Sequence, residues 1–94
     1  MQYGVFVEVD NSGEDRDDRI AGLREQLAPA MKQTAGFQSG VFASNDATGT
    51  GIMLIVYDTE ASATTVAGRM VVGAQPRPGV TIKRVEVIEV IASV

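Results

Sequence analysis

The sequence predicts an α+β fold in the order strand, helix, strand, strand, helix, strand, spread over all 94 residues. Three observations predict it. Four segments carry the alternation or the unbroken apolar run of a β-strand, two carry apolar residues at helical spacing, and clusters of Gly, Asn, Asp, Ser or Pro separate them. The length suffices for one hydrophobic core, so the chain is read as one domain, residues 1–94.

Tyr3, Val5, Val7 and Val9 alternate with Gln2, Gly4, Phe6 and Glu8, the period of a half-buried strand over residues 2–9. After the turn cluster Asn11-Ser12-Gly13, Ile20, Leu23, Leu27 and Met31 recur at helical spacing, with Arg16, Arg19, Arg24, Glu25 and Lys32 assigned to other faces. This gives a helix over residues 15–34, ended by Gly36. Pro29 has no N–H to offer the carbonyl of Glu25, so a kink or a short break is expected there. Residues 37–45 read as the second strand, Asp46-Ala47-Thr48-Gly49 as a hairpin turn, and 51–57 as the third strand. The third strand is apolar at nearly every position, which implies that both of its faces are covered. Asp58 or Thr59 then caps a second helix running to Val72, with Ala63, Val66, Ala67 and Met70 on one face. Pro76 and Pro78 make residues 73–79 irregular, and 80–91 form the fourth strand.

Two strand–helix–strand units in this order close into a ferredoxin-like βαββαβ sandwich, a four-stranded antiparallel sheet with both helices on one face. The opposite face then carries Phe6, alternate positions of the third strand and, from the fourth, either Ile82, Ile88 and Val90 or Val85, Val87 and Ile91. Monomers rarely expose such a patch, and a second copy of the chain is its simplest cover. A homodimer is expected.

Hydrophobic residues at 45% and charged residues at 21% describe a chain that folds without a metal or a crosslink. The net charge of −4 opposes phosphate neutralisation, so no nucleic-acid partner is expected. Residues 1–47 hold eight acidic and four basic side chains and residues 48–94 four of each, which places the acidic surplus in the first half. Much of it is Asp10, Glu14, Asp15, Asp17 and Asp18, at the predicted start of the first helix, where carboxylates complement the helix dipole. The segment lacks the spaced oxygen ligands and closing Glu of an EF-hand. With no cysteine and no histidine, disulfides, thiolate nucleophiles and the usual transition-metal ligands are absent. No metal and no cofactor is expected. Met1 to Val5 show no basic leader before an apolar core, and the longest large-apolar run, Ile52 to Tyr57, is too short for a bilayer. The expectation is a cytoplasmic protein that does not enter membranes.

Several features together resemble a known group: the βαββαβ order, a proline in the second half of the first helix, Ala35-Gly36-Phe37 entering the second strand, and Tyr57-Asp58-Thr59-Glu60-Ala61 leading from the third strand into the second helix. They resemble the dimeric α/β-barrel superfamily, and within it the antibiotic-biosynthesis-monooxygenase-like small uncharacterised bacterial domains. Many members carry Pro-Gly-Phe where this chain has Ala35-Gly36-Phe37. The resemblance implies a homodimer whose sheets pair into a barrel, with a small-molecule pocket between sheet and helices of each subunit. It implies no particular activity. Haem-degrading members use an axial histidine and other branches use histidine or tryptophan, and this chain has neither.

The candidate ligand-binding residues are Tyr57, Arg69 and Tyr3. Tyr57 ends an apolar strand, so its ring can reach the core while its hydroxyl stays near a pocket mouth, and Arg69 follows about three turns later on the second helix. Arg69 and Arg77 are the cations best placed for an anionic ligand. Glu8, Arg84 and Glu86 can share a sheet face across the first and fourth strands, either as an acid–base cluster or, more commonly, as a cross-strand ion pair at a dimer seam. Asn45 and Gly49-Thr50-Gly51 are read as turn residues. No function is fixed by these residues. The favoured reading is a binding or structural domain without chemistry; the alternatives are a cofactor-independent monooxygenase-like enzyme acting on a small aromatic or quinol, and a ligand-sensing partner subunit.

Overall fold

A computed structural model describes residues 1–94. β1 (Tyr3–Asp10), β2 (Phe37–Asn45), β3 (Thr50–Tyr57) and β4 (Thr81–Glu89) form one sheet in the order β2-β3-β1-β4, with every neighbour antiparallel. The helical segments are α1 (Arg16–Gly22), a π-helical turn (Leu23–Leu27), α2 (Ala28–Lys32) and α3 (Glu60–Ala67). The result is an α+β sandwich compatible with a ferredoxin-like fold. No helix is long and apolar enough to cross a membrane.

The first helical run starts where its acidic cluster lies. Asp15 caps it by accepting from the N–H groups of Asp17 and Asp18 at 3.1 and 3.3 Å, with Asp17 and Asp18 in the first turn. The expected irregularity at Pro29 takes the form of a wider turn before it rather than a break. The backbone stays helical through Gly22, Leu27 and Ala28, and the N–H of Ala28 reaches back to the carbonyl of Leu23. A π turn placed there relieves the crowding that the proline ring imposes on the preceding turn.

Gly36 joins this run to β2 with φ of +83°, and its carbonyl accepts from the N–H of Asp58 at 3.0 Å. A Cβ there would sit 2.3 Å from the Asp58 carboxylate, so glycine is required on both grounds. Thr59, one of the two expected caps, starts α3 by accepting from the N–H of Ser62 at 3.1 Å. α3 ends at Ala67 with Gly68 as its cap, five residues short of the expected Val72.

The core lies between the sheet and the helices. Val5 and Val7 of β1, Met53, Ile55 and Tyr57 of β3 and Ile82 of β4 pack against Ala63 and Val66 of α3, with Leu27 and Met31 at the margin. A bulge in β4 opposite Glu8 and Val9 pairs Glu8 with Arg84 and Val9 with Ile82, leaving Lys83 as the extra residue. It therefore mixes the two sets proposed for β4. Ile82, Val85 and Val87 register with the helix-facing Val9, Val7 and Val5, whereas Arg84, Glu86 and Ile88 register with Glu8, Phe6 and Gly4 on the open face. Both faces of β3 are apolar, as the sequence indicates, but only one is covered within the chain.

Candidate functional site

A cavity of about 380 Å³ separates the first helical run from the sheet. It exists because the two helical layers pack differently. α3 presents Ala63, Val66 and Ala67, side chains small enough to lie directly on β1, β3 and β4, whereas α1 and the π turn stand off from the strands. Val7, Val9, Met53 and Ile82 form the floor and Leu23 and Leu27 of the π turn the roof. The widened turn that accommodates Pro29 thus also supplies part of the cavity wall.

One end of the cavity is polar. Arg19 is only 5% exposed, and its Nη1 bonds the carboxylate of Asp46 while its Nη2 donates to the carbonyl of Glu14 at 3.3 Å. With the Asn11 amide in the orientation that satisfies its neighbours, its oxygen accepts from Nε of Arg19 at 3.3 Å and its nitrogen donates to the carbonyl of Gly49 at 3.1 Å. Arg77, from the proline loop, donates through Nη2 to Oε1 of Glu14 at 3.2 Å. Arg16 holds the other oxygen of Asp46 at 2.6 Å. Hydrogen bonds from Arg16 and then Arg19 hold the Asp46 carboxyl below the usual carboxylate value. No buried side-chain nitrogen or oxygen lacks a partner.

The burial of Arg19 corrects its assignment to a polar helix face. Positions 19, 23 and 27 are four residues apart and form one inward row, a spacing present in the sequence but masked by the charge of the first member. By its local sequence Asn11 is only a turn residue. Nothing local distinguishes it, because its partner Arg19 becomes its neighbour only in the fold.

The residues singled out from the sequence are dispersed. Tyr57 is fully buried in the core, and it does not line the cavity. Thr34 donates to the carbonyl of Met31, so the Tyr57 hydroxyl, 2.7 Å away, donates to Thr34. Arg69 is exposed beside a separate groove between α2 and α3, with Thr34, Ser62 and Thr65. Tyr3 is half-buried at the edge of the core; burial first, and then the carboxylates of Glu60 and Glu89, raise its pKa above the usual phenol value. Glu8, Arg84 and Glu86 do meet, on the opposite face of the sheet. Arg84 lies 3.4 Å from Glu8 and 3.9 Å from Glu86, with its guanidinium 4.9 Å above the Phe6 ring. At this exposure the cluster is a surface ion pair with a cation–π contact, and it is remote from the cavity. Asn45 accepts from the N–H of Ala47 through its side chain at 3.0 Å and shapes the hairpin.

No group of three or more carboxylates is arranged to hold a metal ion. No protein-family model matches the chain, and no curated protein matches it.

Proposed function

We propose that the protein is a small-molecule-binding domain without chemistry of its own, which takes its ligand into the cavity beneath the first helical run and acts as a homodimer joined through the open sheet face. The cavity carries this reading: it is apolar along its length, polar at one end, and of the size that small ligands occupy. Its polar wall argues for binding over catalysis. Arg19 and Arg77 are the only ionisable residues lining it, and a guanidinium neither takes nor releases a proton near neutral pH. A cofactor-independent oxygenase working on an aromatic or quinol would need a base at the substrate, and the carboxylates paired with the wall arginines, Glu14 and Asp46, do not line the cavity.

Thermal-shift screening of small aromatic acids and quinols tests the site. The expected result is a set of compounds that stabilise wild type and do not stabilise Leu23→Trp, whose larger ring fills the cavity. Stabilisation of both proteins alike would place binding elsewhere.

The dimer reading rests on the open face, where the register sets Val41, Leu54 and Phe6 in one row and Val56, Gly4 and Ile88 in the next. Val41 is 56% exposed and Ile88 37%, so large apolar side chains of neighbouring strands meet solvent together on this face. Sedimentation equilibrium at micromolar concentration is expected to return about twice the chain mass of 9.9 kDa. A mass of one chain would overturn the pairing.

A further inference from the structure

We infer that the ligand of the cavity is an organic anion, an apolar body ending in a single carboxylate that lies against Arg77 at the polar end. This rests on the reading of the cavity as a binding site and adds the class of its occupant. The ion pairs form one alternating ladder, Arg16 to Asp46 to Arg19 to Glu14 to Arg77. It begins and ends on arginine, so three guanidiniums face two carboxylates. A carboxylate at the free end would extend the alternation by one member.

The unbalanced end faces the cavity. Arg19 and Arg77 line it, and neither Glu14 nor Asp46 does. Arg19 is committed to Asp46, Asn11 and the Glu14 carbonyl, but Arg77 makes one hydrogen bond, to Glu14, and keeps the rest of its fork. That fork matches a carboxylate in geometry, and walls of low polarity strengthen the contact. The chain as a whole is negative at −4, so an attraction for anions has to arise locally.

The Arg77 guanidinium lies against the helix backbone at Gly22. Glycine inside a helix costs about 1 kcal/mol relative to alanine. Here a Cβ would stand 2.9 Å from Nη1, the mobile end of the Arg77 side chain, so an alanine would move the guanidinium off the helix backbone.

Calorimetric titration of the whole chain with naphthoate, and with its neutral isostere naphthamide, tests the inference. Wild type is expected to bind naphthoate about tenfold more tightly, the worth of one charge-assisted hydrogen bond. Arg77→Gln should remove that preference while leaving naphthamide binding in place. Gly22→Ala, which puts a methyl group 2.9 Å from the place of Nη1 and so displaces the guanidinium, should reduce the preference in a chain whose helix is retained, and Arg69→Gln should leave it unchanged. Equal affinities in wild type would overturn the anion class and leave the cavity as a binding site. A preference that survives both Arg77→Gln and Gly22→Ala would overturn the assignment to Arg77. No binding of either compound would overturn both the anion class and the cavity reading.

Discussion

On the helix-covered face of the sheet Val5, Ile55 and Tyr57 have no exposed surface, while one position along the same strands Phe6, Leu54 and Val56 keep part of theirs and Val41 keeps 56%. The two faces use similar side chains on shared strands. They differ in what lies over them: small residues of α3 close one end of the covered face, the standing-off first helix leaves a cavity at the other, and nothing within the chain covers the open face. Hydrophobicity alone therefore assigns these residues to a surface to be buried, and the covering element decides whether the outcome is core, pocket or an open apolar face.

The comparison can be broken most forcefully in the core. Ile55→Ala, at a fully buried position, is expected to cost about 2–5 kcal/mol of stability in chemical denaturation. A cost as small as that of a surface substitution would mean that the covered face is not packed as described. On the open face, Leu54→Lys is expected to leave the fold intact by circular dichroism but lower the sedimentation mass from that of a pair to that of one chain. Retention of the pair would remove this face from the interface.

Tyr57→Phe probes the covered face more finely. It removes one buried hydrogen bond, to Thr34, and is expected to cost about 1 kcal/mol with no change in ligand affinity. Altered affinity would bring Tyr57 back to the site.

The smallest effect is electrostatic. The Asp46 pKa is lowered in the folded chain from an ordinary value of 3.8, so its contribution to stability is fully present above that value and is lost as pH falls through the lower folded value. Stability should thus carry the full Asp46 contribution, without pH dependence from it, near neutrality and decline in strong acid, with a shallower decline for Asp46→Asn. Equal acid slopes would show that the ladder has little hold on this carboxylate.

The element order, the apolar third strand, the acidic start of the first helix and a cap at Asp58 or Thr59 were legible because each depends on local pattern. The β4 faces were not, since the bulge at Lys83 depends on pairing with β1 and interrupts the period of two. Arg77 was legible as a cation available to an anion, yet its site was not, because Glu14 and Gly22 lie far from it in sequence. Tyr57 shows the reverse: its place at the end of a strand was clear, but the hydroxyl of Thr34 takes it into the core. Arg19 hides for a chemical reason, since a charge on an inward helical row is tolerated only when distant partners such as Asp46 satisfy it.

The most direct test of two faces with different uses is a methyl-resolved NMR titration with naphthoate. The methyl signals of Leu23, Leu27 and Met53 are expected to shift with bound ligand while those of Val41, Leu54 and Ile88 stay in place. Shifts confined to Val41, Leu54 and Ile88 would contradict the assignment and make the open face the binding surface.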